Sequence, residues 1–134
     1  MKKLIPLLLL PFALQAQEPS LAFQVKFLKI LMSSTSQYGV SCPDAATKAK
    51  LETVGINVGP EWKLALANSE AEVKAMKKAG KLVIVTNAAW MSAGAGIAVV
   101  DVDGKPQIKL NAANIKSSGV ALSDTIIKMG NGTM

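Results

Sequence analysis

The sequence predicts a small α/β domain, three-layered and Rossmann-like, with a parallel β-α-β-α-β start, a C-terminal β-hairpin and short helices. Three observations lead there. Short dense runs of Val, Ile, Leu and Ala, above all residues 81–86 (KLVIVT), read as strands buried on both faces. The stretches between them carry helix caps at their ends. The two signals alternate along the chain, which in one sheet implies parallel strands and right-handed crossovers. At 50% apolar and 18% charged residues, the 134-residue chain has the composition of a folded domain. Its six aromatic residues leave the core to aliphatic side chains.

Residues 20–32 (SLAFQVKFLKILM) carry a mixed signal. Leu21, Phe23, Val25 and Phe27 alternate as in a strand, whereas Val25, Leu28 and Leu31 recur as in a helix. Helix and strand both stay open here, and the length of the run favours a helix. Residues 38–42 (YGVSC) read as a short strand stopped by Pro43-Asp44. Asp44 can cap a helix over residues 45–54, which Gly55 ends. Asn57-Val58-Gly59-Pro60 reads as a turn, and residues 62–67 as another short strand.

Ser69-Glu70-Ala71-Glu72 has the spacing of a capping box, Glu70 and Lys74 are paired at i, i+4, and Gly80 closes the helix. Val73, Met76 and Ala79 (or Ala75) would face inward. After the strand at 81–86, residues 88–95 form a loop or short helix. Residues 96–101 and 106–110 pair as a hairpin about Asp103-Gly104. A helical piece spans 111–117, Ser123-Asp124 caps a last helix through Met129, and a Gly-rich tail follows.

The first residues have the marks of an export signal. Met1-Lys2-Lys3 is positive, residues 4–14 (LIPLLLLPFAL) are apolar but too short to span a bilayer, and Ala13-Leu14-Gln15-Ala16 offers small residues for cleavage. The expectation is a signal peptide at 1–16, cleaved near Ala16, and a single exported domain at 17–134. Two prolines in the apolar run argue against its serving as an anchor. The cleaved chain keeps 13 lysines against nine carboxylates, a net charge of +4. These lysines are dispersed apart from Lys74, Lys77 and Lys78, and no aromatic residues are interleaved with them, so no nucleic-acid partner is expected.

Composition narrows the chemistry further. The chain has no histidine and no arginine. That removes imidazole acid–base catalysis and metal ligation, together with the bidentate guanidinium fork for phosphate or carboxylate. A single cysteine, Cys42, allows no internal disulfide. Cys42 stands at a strand end before a helix start, a position that lowers a thiol pKa, while nearby Asp44 acts against the thiolate. It reads as a small hydrophobe, with a reactive or partner-linking thiol as the alternative.

Gly94-Ala95-Gly96 precedes a strand and so lacks the context of a dinucleotide fingerprint; it reads as close backbone packing. Asp101-Val102-Asp103-Gly104 lacks the further ligands of a calcium loop and reads as a hairpin turn. Trp90-Met91, just after the central strand, are residue types favoured at protein contacts, and a plug capping the core is the competing reading. With Phe23, Phe27 and Leu28 they form the candidate partner surface.

A resemblance lies in the second half. Residues 80–86 (GKLVIVT), 94–100 (GAGIAVV), 103–113 (DGKPQIKLNAA) and 119–129 (GVALSDTIIKM) together resemble the YfiR (YfiR/HmsC-like) family of small periplasmic proteins. That family has a Gly-rich turn, an apolar strand, a short turn, a strand ending in an INL-type motif, and then a Ser followed by paired aliphatics. Leu110-Asn111 with Ala112-Ala113 match the motif, and Ser123 with Ile126-Ile127 match the last part. The resemblance covers residues 80–129.

It implies an exported, non-catalytic regulator without a cofactor. Its partner would be the periplasmic part of a membrane-bound signalling protein, such as a diguanylate cyclase or sensor kinase, which links the envelope to cyclic-di-GMP signalling. A homo-oligomer is compatible with this. The paired cysteines of longer members are missing here, so control through an internal disulfide does not carry over. The competing expectation is a periplasmic small-ligand module with a pocket near Asp44, Asn87 and Ser92. A lysine- or thiol-dependent enzyme stands third and would need a desolvated lysine.

Overall fold

Helix α1 (Leu21–Thr35) opens the part of the chain that this computed structural model describes, residues 21–133. The expected signal peptide at 1–16 lies outside the described residues. The mixed signal of the first segment resolves as a helix. Phe27, Leu28 and Leu31 are all but fully buried, which is the spacing of one helical face. The hydroxyls of Ser34 and Thr35 donate back to the carbonyls of Ile30 and Leu31 at 2.8 and 2.7 Å, and so carry the helix into its polar end.

Strand β1 (Gly39–Val40) follows, then α2 (Ala45–Thr53) and β2 (Asn57–Val58), which runs parallel to β1. Asp44 caps α2 by accepting from the Thr47 N–H at 2.9 Å. The expected turn at 57–60 is therefore a correction, since Asn57 and Val58 pair with Gly39 and Val40. A two-residue edge strand has a ladder on one side only, too short to leave a periodic trace in the sequence. The Asn57 side chain donates to the Tyr38 carbonyl, and the Gly59 N–H donates to Val40, so the segment is tied at both ends.

The main sheet holds β3 (Leu64–Leu66), β4 (Leu82–Val85), β5 (Ile97–Val102), β6 (Lys105–Leu110) and β7 (Gly130–Thr133) in that order. A parallel bridge from Ser41 to Ala65 joins the small sheet to it, which gives the spatial order 2-1-3-4-5-6-7. β3, β4 and β5 are parallel, as the alternating signals required. β5 and β6 form the hairpin, and Asp103 and Gly104 both take positive φ, 54° and 80°, as a two-residue turn demands. The expected Gly-rich tail is instead β7, parallel to β6 with a register shift between Ile108 and Lys109.

Strand alternation splits the core into two layers. Leu82, Ile84, Ile97, Val99, Ile108 and Leu110 face one side, where Phe27, Leu28 and Leu31 of α1 and Leu51 of α2 cover them. Val83, Val85, Ala98 and Val100 face the other, under Val73 of α3 (Glu70–Lys78) and Met91 of the 3₁₀ segment Ala88–Ala93. Of the residues expected inward on α3, Val73 is buried and Met76 half-buried, while Ala75 and Ala79 are exposed. Helices α4 (Ala112–Ser118) and α5 (Asp124–Met129) complete the side beyond β6, where Ile115 and Ile126 join the first layer.

Candidate functional site

The expected partner surface divides on the sheet. Phe27 and Met91 are each only 1% exposed, so both belong to the core and neither presents a surface in this conformation. Phe23 packs half-buried on the first core layer and Trp90 on the second, which places them on opposite faces of the sheet. The core-plug reading of Trp90-Met91 is the one the geometry supports. A loop at the end of a central strand must close the layer beneath it, and large apolar side chains do this.

Asn114 of α4 holds that loop in place. Its Nδ2 donates to the carbonyls of Met91 and Ala95, at 3.0 and 2.9 Å, while its Oδ1 accepts from Lys77 Nζ at 3.2 Å. Lys77 also donates to Ser117 Oγ, and its aliphatic stem crosses Gly94, where any Cβ would collide with it. Close packing is thus what the Gly94-Ala95-Gly96 run serves; at Gly96 a side chain would meet Leu82 and Ile115. Asn114 gave no sequence signal, because an isolated Asn inside a helical stretch looks like surface.

The polar residues expected around a small-ligand pocket are occupied locally. Asp44 caps α2, Asn87 Oδ1 accepts from the Ala89 N–H at 3.0 Å, and Ser92 Oγ donates to the Ala89 carbonyl. A cavity does lie near the carboxyl ends of β3 and β4, beneath α1, lined in part by Gln24, Phe27, Thr47, Asn68 and Thr86. It measures about 30 Å³, the room of one water molecule.

Cys42 is half-buried just past β1, and its Sγ donates to the Asp44 carbonyl at 3.7 Å. Burial pushes its thiol above the ordinary value, and the charges of Asp44 and Glu72 push the same way, with only backbone hydrogen bonding at Asp44 opposing. The carboxyl of Asp44 itself is held below its ordinary value, chiefly by the Thr47 hydroxyl and then by the Thr47 N–H.

A feature missed in the sequence lies at the other end of the sheet. Leu110, Ala112, Ile115, Lys116, Leu122 and Ile127 line an open groove of about 250 Å³ whose walls are mostly apolar. Ile127 is 52% exposed there, whereas its neighbour Ile126 is fully buried. Asn111 caps α4 and Ser123 caps α5, the two helices that contribute to the groove. Only the pairing of an inward and an outward aliphatic at 126–127 hinted at this, and sequence cannot say which of two adjacent isoleucines turns out.

No family model matches the chain, and no curated protein matches it. Among solved structures it is similar to a conserved domain protein of Vibrio cholerae, with a TM-score of 0.62 and 8% sequence identity over 82% of this chain and 60% of that one. It is likewise similar to the ABC domain in complex with L-Trp from Streptococcus pneumonia, with a TM-score of 0.57 and 10% identity over 82% of this chain and 59% of that one. The chain spans about 60% of the length of these neighbours. At such identities the likeness is one of fold, and it fits the small α/β, Rossmann-like class.

Proposed function

We propose that the protein is a non-catalytic, exported regulatory binding protein of the periplasm, and that it modulates a membrane-bound signalling protein such as a diguanylate cyclase or sensor kinase. The observation that carries this reading is the apolar groove beside Ile127. It lies within the segment that resembles the YfiR (YfiR/HmsC-like) family, and an aliphatic side chain held half in water is the kind of group that a partner's apolar side chain covers.

The small-ligand alternative draws its support from the fold neighbour solved with L-Trp. The cavity beneath α1 is too small for such a molecule, and this reading stands second because the polar groups expected to line its pocket, Asp44, Asn87 and Ser92, are engaged in local caps and turns.

Ile127→Glu tests the proposal. The side chain is exposed, so the fold is expected to lose no more than roughly 0.5 kcal/mol. Capture from detergent-solubilised envelopes should retain a cyclase or sensor kinase on the wild-type chain and lose it with the substitution. Failure to retain such a protein, or its equal retention by Ile127→Glu, would overturn the reading.

A further inference from the structure

The groove beside Ile127 and the side chain that stands out next to it belong to one surface. Leu110, 4% exposed, is its buried floor, Ile115 and Leu122 are half-buried walls, and the small, exposed Ala112 leaves the mouth open. At about 250 Å³ the groove falls below the roughly 300–1,000 Å³ of small-ligand sites, so it suits an aliphatic side chain better than a free molecule. Ile127 is 52% exposed, and the surface therefore presents an apolar knob next to an apolar hole.

The charges repeat that pairing. Lys116 of α4 lines the groove, and Asp124 stands three residues before Ile127 on α5, which puts the two on one helical face. Both charged side chains are exposed, and among the described residues neither enters an ion pair or a side-chain hydrogen bond. The knob carries the acid and the hole carries the base.

We propose that a second copy of this chain covers the groove, in a two-fold dimer in which each Ile127 enters the groove of the other copy. It rests on the proposed function in one respect, that the groove is a protein-contact surface. A surface holding both halves of a contact is self-complementary, and a two-fold axis makes each contact twice. With α5 of one copy across the mouth of the other, each Asp124 carboxylate is set toward Lys116 of the second copy.

The patch is small, and the positive net charge of both copies opposes their meeting. At physiological ionic strength that repulsion is screened beyond roughly 8 Å, whereas a carboxylate and an ammonium in contact are closer than this. The balance is a weak dimer, formed when the chain is concentrated and parted when a membrane partner takes the groove. Dimerisation and partner binding exclude each other, because both use Ile127.

Sedimentation velocity of the exported chain, at concentrations up to about 0.5 mM, reads the oligomeric state. The wild type should pass from monomer to dimer, and Ile127→Glu should stay monomeric throughout. Lys116→Glu and Asp124→Lys should each weaken the dimer by roughly fivefold or more, because symmetry repeats the pair, and the double variant should recover most of that loss. Tyr38→Ala, at the other large exposed side chain, should dimerise as the wild type does. Circular dichroism of each variant confirms the fold. A monomeric wild type, an Ile127→Glu chain that still dimerises, or a double reversal no better than the single ones overturns the inference. The two readings fail separately. A monomeric wild type that captures the membrane protein through Ile127 overturns the dimer alone, and an Ile127-dependent dimer that captures no such protein overturns the proposed function alone.

Discussion

Asp44 shows how much one half-buried side chain can organise. Its carboxylate accepts from both the N–H and the hydroxyl of Thr47, at 2.9 and 2.7 Å, and the Asn68 amide donates to that same hydroxyl at 2.8 Å. The cap of α2 is thereby linked to the start of α3. Because the folded carboxyl titrates below its unfolded value, the stabilisation is complete above the usual carboxylate range and is lost as pH falls through the folded value. Acid unfolding followed by circular dichroism should therefore begin at higher pH for Asp44→Ala at equal temperature. Asp44→Asn should keep the cap and lose its pH dependence. This residue was legible in the sequence, since an Asp between Pro43 and an alanine-rich stretch is a helix start by chemistry alone. Trp90 and Met91 were not. Their residue types suit a partner surface and a core plug equally, and only their position over β4 and β5 separates the two.

At the level of elements, helix ends were the most readable feature. Ser69 Oγ accepts from the Glu72 N–H at 3.1 Å, and Glu72 reaches back to the N–H of Asn68, one residue earlier than in the usual capping box. Gly55 and Gly80, at φ 87° and 82°, terminate α2 and α3 in the left-handed region that glycine allows. The joints between elements were hidden. Asn114 ties α4 to the loop after β4, and Lys77 ties α3 to α4. Asn114→Ala leaves two backbone carbonyls without that donor and should cost about 1–3 kcal/mol in urea denaturation. Asn114→Asp, which loses the donor while keeping the acceptor for Lys77, should recover little of it.

Across the whole molecule, stability rests on two apolar layers separated by one sheet. The first is the larger and gathers residues from α1, α2, the strands, α4 and α5. Phe27 is its one fully buried aromatic side chain among the described residues. Phe27→Ala should cost about 3–5 kcal/mol, read from the midpoint of urea unfolding. A loss of 1 kcal/mol or less would mean that α1 docks loosely and that the sheet is stable without it. The polar groups follow the same division: the Lys77–Asn114 contacts belong to the second layer's side, and the Ile127 groove opens at the edge of the first.

What the sequence determined by itself is local. Alternating strand and helix signals require parallel crossovers, caps are stated by Asp, Ser and Gly at fixed offsets, and Asp103-Gly104 can hardly be other than a tight turn. The missing histidine and arginine fix which chemistries the chain cannot perform through those groups. Tertiary structure decided the rest, because it depends on which distant segments share a face. Sheet alternation separates Phe23 from Trp90, turns one of two adjacent isoleucines outward, and brings Met76 of α3 to the same cleft as Cys42 of the β1–α2 loop. None of these pairings has a sequence period, since each joins residues whose separation along the chain is set by the crossovers between them.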